Sequence, residues 1–138
     1  MRKLILILAA LLVAGVASAV DYEIVPGYGI PQVFTLHSGT TTAANGNTLT
    51  AYGAVATIGC YVSWGSTCGQ GVVTFETASS PTYAGTWVPL SGGVVTFGSA
   101  STQVHFQVDG LRIYTFRARV STSATGNGVT VTCTGGSK

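Results

Sequence analysis

Charge is the scarcest commodity of this chain. Six Lys and Arg and four Asp and Glu are all the ionisable groups of ordinary charge in 138 residues, with two His. Two of the cations, Arg2 and Lys3, stand at the extreme N-terminus, which leaves Arg112, Arg117, Arg119 and Lys138 against Asp21, Glu23, Glu76 and Asp109. Near-zero charge without clusters excludes a nucleic-acid or anionic-lipid partner, because both are bound through grouped Lys and Arg. Carboxylates are equally sparse. A glycosidase needs two facing each other across a cleft, and here two lie near a terminus and Asp109 sits in a Gly-containing turn motif. No Gly-x-Ser-x-Gly elbow, His-Glu-x-x-His run or phosphate-cradling loop occurs either. The inventory predicts a protein that is not an enzyme and carries no cofactor. His37 and His105 are isolated and have no compact spacing with the cysteines, so no metal site is expected; a lone His on a wet strand face is expected to be solvated.

Long apolar runs are also lacking, with one exception. Leu4 to Val16 form a hydrophobic stretch behind Arg2 and Lys3, and Ala17-Ser18-Ala19 follow as small residues of a cleavage site. This is the pattern of a secretory signal peptide over residues 1–19. The stretch is short for a membrane span of about 20 residues. No cysteine follows to carry a lipid and no second apolar run closes the chain. The expectation is a secreted, periplasmic or extracellular protein with no membrane attachment after cleavage. Residues 20–138 then form one domain of about 120 residues, long enough for its own core.

What is abundant is Val, Thr, Tyr and Phe together with 19 glycines. Disordered chains lack such aromatic and β-branched residues, and these residues suit a pleated, half-buried surface. Gly, Pro, Asn and Asp punctuate the mature chain into runs that predict strands over Gln32–Ser38, Thr48–Tyr52, Ala54–Trp64, Gly71–Thr77, Thr86–Leu90, Val94–Gly98, Gln103–Val108, Arg112–Val120 and Val129–Thr134. The fold class is all-β, a single antiparallel β-sandwich of jelly-roll type with eight to nine short strands. Alternation is clearest late in the chain. Val104, Phe106 and Val108 oppose Gln103, His105 and Gln107, and Tyr114, Phe116, Ala118 and Val120 oppose Ile113, Thr115, Arg117 and Arg119. Between these runs, Asp109-Gly110 predicts a tight hairpin turn that pairs them.

Gly71-Val72-Val73-Thr74-Phe75-Glu76, Gly85-Thr86-Trp87-Val88-Pro89-Leu90, Val108-Asp109-Gly110-Leu111, Tyr114-Thr115-Phe116-Arg117-Ala118-Arg119-Val120 and Gly128-Val129-Thr130-Val131-Thr132 occur in that order. From about Thr48 to Thr134 the chain resembles the small β-sandwich domains of tailed-phage and prophage virion proteins, which carry a Thr-Phe-Glu strand, a Trp-x-x-Leu strand, a Gly-Leu or Gly-Tyr turn and an Arg-x-Arg strand before a Ser/Gly-rich hairpin. The resemblance implies a structural or attachment role in tails, fibres or head decorations, and no catalytic residues. The leader departs from that family's pattern, whose members assemble in the cytoplasm. It implies a module recruited into an exported protein, or a phage-like gene that has acquired export.

Candidate contact residues are few. Three cysteines in an exported chain leave one thiol over when two pair. The short separation favours Cys60 with Cys68 around a loop that would present Trp64; a link of either to Cys133, or three free thiols, are the alternatives. Trp64, Tyr61 and Tyr83 could stack on the apolar face of a sugar ring while polar neighbours bind its hydroxyls, the chemistry of a carbohydrate-binding module. Trp87, within an apolar run, is expected in the core, since each indole hides a large apolar area. Arg117 and Arg119 share a strand face and would either contact an anionic partner or form a cross-strand pair with Glu76, worth about 0.2–1 kcal/mol. The expected function is a non-catalytic structural or attachment protein, partnered by copies of itself, with glycan binding as the alternative.

Export predicts that the protein recovered outside the cytoplasm starts near Val20. Intact-mass and N-terminal peptide measurements check this, and a soluble exported chain retaining Met1 would contradict it.

Overall fold

The structure, a computed structural model, describes residues 21–24, 32–51, 56–98, 102–111, 115–122 and 126–137. The signal segment lies outside them, as do Ile113 and Tyr114. Nine strands are described: β1 (Asp21–Ile24), β2 (Gln32–Thr40), β3 (Ala44–Ala51), β4 (Ala56–Trp64), β5 (Gly71–Ala78), β6 (Val88–Phe97), β7 (Thr102–Leu111), β8 (Thr115–Thr122) and β9 (Val129–Ser137). They form a five-stranded sheet in the order β1-β3-β8-β5-β6 and a four-stranded sheet in the order β2-β9-β4-β7.

Pairing is nested. β5 pairs with β6, β4 with β7, β3 with β8 and β2 with β9, all antiparallel, so the chain is one long hairpin folded over on itself into two sheets. That is a jelly-roll sandwich. β1 joins as a parallel neighbour of β3.

Strict alternation supplies the core from both sheets. Ile58, Cys60, Val62 and Trp64 of β4 and Val129, Val131 and Cys133 of β9 face Val73 and Phe75 of β5 and Phe116, Ala118 and Val120 of β8, all buried. Phe75 stacks on Phe106 of the opposite sheet at 4.5 Å and on Phe116 of its own at 5.5 Å. Trp64 meets Phe97 across the sandwich at 5.4 Å. Each such aromatic pair adds about 0.5–1.5 kcal/mol beyond the area it buries.

The structure corrects the expected pairing of the seventh and eighth runs. β7 continues through Asp109 and Gly110 to Leu111, and it lies beside β4, whereas β8 lies between β3 and β5 in the other sheet. The facing follows the alternation for most positions: Phe106, Val108, Phe116, Ala118 and Val120 are buried, and Gln103, His105 and Gln107 are exposed. Val104, near the start of edge strand β7, is however 37% exposed, and on the covered face of the other sheet the outward-parity Thr115 is buried and Arg117 half-buried. Period two tells which way a side chain points. It says nothing about which strand lies alongside.

Two Gly-containing segments that fall between or before the expected strands are irregularities inside strands. Ser91-Gly92-Gly93 interrupts the pairing of β6 with β5 but does not end it: Val94 pairs with Thr74 and Pro89 with Glu76, and the intervening residues bulge, with Gly92 at φ 70°. Ala44-Asn45-Gly46-Asn47 opens β3, with a register shift before Thr48. A Cβ on Gly46 would stand 2.7 Å from Leu36 O, Ala118 O and the His37 ring, so only glycine permits this approach. Asn47 Nδ2 donates to Thr35 O at 2.9 Å, tying β3 to β2 across the sandwich edge.

The cysteines are corrected too. Cys60 pairs with Cys133, directly opposite on β9, and Cys68 is a free thiol. Beyond Cys60 the strand runs straight for four more residues, carrying the chain about 13 Å before it turns. Cys68 therefore lies at the far end of the sandwich, where its N–H donates to Gly65 O and its side chain is buried. Burial pushes the Cys68 thiol pKa up, which disfavours reactive thiolate.

Non-reducing peptide mapping should recover Cys60 linked to Cys133, with Cys68 alkylated only after unfolding. The bond joins residues 73 apart in sequence, so its loss should lower stability by about 4 kcal/mol on the chain-entropy account. A Cys68-containing disulfide would contradict this core.

Candidate functional site

The two outer faces of the sandwich differ, and the difference locates the site. On strands β3, β8 and β5 of the five-stranded sheet, outward residues are largely covered: Thr48, Thr50, Thr74, Glu76 and Thr115 are all buried, whereas Val94 and Thr96 of the edge strand β6 are exposed. Segment 79–87 straps part of this face. Its Trp87 donates Nε1–H to Tyr83 O at 3.2 Å and lies under the Arg117 guanidinium, 4.0 Å from the ring centroid. Trp87 is buried as expected, although against this outer face and not between the sheets.

Beneath the strap, Glu76 receives both arginines. Arg117, opposite it in register, donates Nε–H and Nη2–H to Oε2 at 3.0 and 2.8 Å, and Arg119 donates Nε–H to Oε1 at 2.6 Å. The expected cross-strand pairing is present, but its setting is not the exposed one that the small value assumed. The Glu76 and Arg117 side chains are 3% and 14% exposed, and removing one partner of such a buried pair costs about 3–5 kcal/mol; Arg119, 38% exposed, contributes the smaller amount of a solvent-screened pair. With their charge directed inward to Glu76, Arg117 and Arg119 are structural groups here.

Among the described residues, the outer face of the four-stranded sheet is open. Alternation brings Thr57, Gly59, Tyr61 and Ser63 of β4 to it, flanked by Thr130, Thr132 and Thr134 of β9 and by Gln103, His105 and Gln107 of β7. Tyr61 and His105 are direct cross-strand partners, with ring centroids 4.8 Å apart and planes tilted by 41°. Tyr61 is 45% exposed. Next along β4, Gly59 leaves a notch into which the imidazole leans, since a Cβ there would stand 3.1 Å from His105 Nε2. Thr134 Oγ1 donates to Gly59 O at 3.4 Å on the other side. The result is a shallow depression of about 330 Å³ lined by Thr57, Gly59, Tyr61, His105, Gln107 and Thr134, at the lower end of the ~300–1,000 Å³ of small-molecule sites.

A second depression, about 350 Å³, lies at the sandwich edge between β2 and β3, lined in part by Tyr22, Asn45, Asn47 and His37. His37 serves the fold there. Irregular register in β2 turns it inward, so it is buried and not solvated as expected. Its Nε2–H donates to Ala118 O of the opposite sheet at 3.0 Å, which leaves Nδ1 to accept from Thr40 Oγ1, also at 3.0 Å. Both nitrogens are engaged, and burial lowers the His37 pKa below the ordinary 6.5.

The expected contact residues thus separate. Trp64 is 7% exposed and part of the core, because it shares alternation parity with Cys60 and Val62; the disulfide-bounded loop that would have presented it does not exist. Tyr83 is exposed, but on the strap over the other sheet. Tyr61 alone of the aromatic candidates stands on the open face. His105, Gln107, Thr57 and Thr134 join it there. Their outward parity was readable in the chain, whereas the register that gathers them around Tyr61 was not. Among the described residues no group of three or more His, Cys, Asp or Glu could hold a metal ion.

Known protein families, curated proteins and solved structures contain no match to this chain.

Because the folded-state pKa of His37 is depressed, its neutral form contributes stability that is fully present above pH 6.5 and is lost as pH falls below it. His37→Gln retains a donor and an acceptor without a titrating ring. The stability difference between wild type and this variant should therefore shrink from pH 8 to pH 5 in denaturant titrations, and a constant difference would contradict the assignment.

Proposed function

We propose that this chain is an exported, non-catalytic attachment protein that binds through the open face of its four-stranded sheet. The observation that carries the reading is the asymmetry of the sandwich. One outer face is covered by a strap and a buried ion-pair cluster, while the other leaves an uncovered aromatic pair in a polar notch. A face maintained only for solubility has no need of a half-exposed tyrosine set against a glycine-cleared hollow. The Cys60–Cys133 disulfide fits an oxidising compartment outside the cytoplasm, in keeping with the signal-like N-terminus. Jelly rolls serve viral capsid and lectin domains alike; this fold-level analogy, with the short virion-like motifs, supports attachment over catalysis without specifying the target.

Self-association is the second reading. It is favoured by the free edge strand β6, which exposes Val88 and Val94, as unpaired strand edges invite pairing with another copy.

Retention of the purified mature chain on intact cells and isolated cell walls tests attachment. Tyr61→Ala combined with Gln107→Ala should lower the retained fraction about tenfold, as the loss of one stacking contact and its neighbouring hydrogen bond would. Tyr83→Ala should bind as wild type. Equal retention of all variants would overturn the assignment of the face, and a multimer by light scattering that binds no surface would favour self-assembly.

A further inference from the structure

We infer that the ligand of the open face is a neutral sugar, one or two uncharged rings of a glycan chain resting on Tyr61 with their hydroxyls in the Gly59 notch. The inference rests on the attachment reading above and specifies its chemistry. β2, β9, β4 and β7 contain no Lys or Arg and one carboxylate, Asp109 near the end of β7, and the outward side chains described on them are uncharged. An anionic ligand would need charge-assisted donors, and a nucleic acid would need several cations along its backbone. Neither is provided for.

A protein partner is also a poor fit. Stable protein interfaces bury about 800 Å² on each side around a fully desolvated apolar or aromatic centre. Here the neighbours of Tyr61 are threonines, a serine and two glutamines, half-buried to exposed. Such a surface keeps its hydrogen-bonding groups spread evenly around one aromatic plate. A sugar ring has the complementary arrangement: an apolar face of C–H groups for the plate, and hydroxyls on its rim that both donate and accept.

The residues supply what that ring needs. The tyrosine plate is 45% exposed. His105 and the Gln107 amide line one side of the notch, and the Thr57 and Thr134 hydroxyls the other; Thr57 can donate or accept, and Thr134, whose proton goes to Gly59 O, can accept. Gly59 is the element that makes the hollow, since any side chain there would compete with the His105 ring for the space. Strand-borne residues anchored at a disulfide, with Cys60 immediately before Tyr61, hold the plate in place before binding. That preorganisation reduces the ordering cost of a weak, repeated contact with a polysaccharide.

The test is an amide NMR titration of the mature chain with neutral tetrasaccharides of glucose, mannose, galactose and N-acetylglucosamine, added separately, and with tetragalacturonate as the anionic counterpart. At least one neutral tetrasaccharide is expected to give saturable shifts at Gly59, Tyr61, His105 and Gln107, with tetragalacturonate binding more weakly. Tyr61→Ala should weaken that binding about tenfold, and Tyr61→Phe much less. Gln107→Ala, which leaves the aromatic pair intact, provides a second reduced-affinity variant should Tyr61→Ala disturb the sheet. Shifts confined to the strap around Tyr83, or tighter binding of the anionic sugar, would overturn the inference. So would silence of all neutral sugars: if cell-wall retention still depends on Tyr61, the ligand class alone falls and attachment stands, and if retention also fails, the face itself is misassigned.

Discussion

Phe75 is where the two halves of this sandwich are joined. Its ring lies between Phe106 of the opposing sheet and Phe116 of the neighbouring strand, close to parallel with both. Because side chains alternate with a period of two, an inward Phe75 sends Glu76 and Thr74 outward, and an inward Phe116 sends Arg117 outward beside Glu76. A slip of one residue in β5 would place a carboxylate between the sheets. The ion-pair cluster, the Trp87 contact and the strap above them all follow from the register that this aromatic stack holds.

The same logic acts on the other sheet through Cys60. The disulfide with Cys133 locks β4 to β9 in a register that turns Cys60 inward and Tyr61 outward. Tyr61 then faces His105 across β7, and the missing side chain of Gly59 opens the hollow beside them. A core constraint thus positions a surface feature one residue away. Rigidity of this kind suits binding: strands present contact groups more precisely than loops can.

The two outer faces divide the work. One is committed to stability, with buried threonines, Trp87 packed against Arg117 and a carboxylate satisfied by two guanidiniums. The other retains uncharged polar groups, the Tyr61–His105 pair and the exposed Val33 at the surface. Three of the chain's few charged residues, Glu76, Arg117 and Arg119, are gathered in the one cluster on the covered face; the outward side chains described on the open face are uncharged.

Much of this was legible in the chain. Val, Thr and aromatic content with frequent Gly dictated an all-β sandwich, and alternation in 103–108 and 115–120 separated the two faces, although Val104 on the core-parity face is exposed and Thr115 on the outward face is buried. That Arg117 and Arg119 share one face followed from the same parity, while their meeting with Glu76 depended on the register of β5 with β8. What the chain did not disclose was adjacency. Asp109-Gly110 has the composition of a hairpin turn, yet β7 and β8 belong to different sheets, because in a nested jelly roll the partner of each strand lies far along the sequence. Proximity in sequence likewise suggested Cys60 with Cys68, while a straight strand carried them apart and brought Cys133 across from 73 residues away. Trp64 and Tyr61 exchanged roles for that reason. Local periodicity, set by backbone geometry, determined which way each side chain faces; only tertiary pairing, set by long-range burial, decided what it faces.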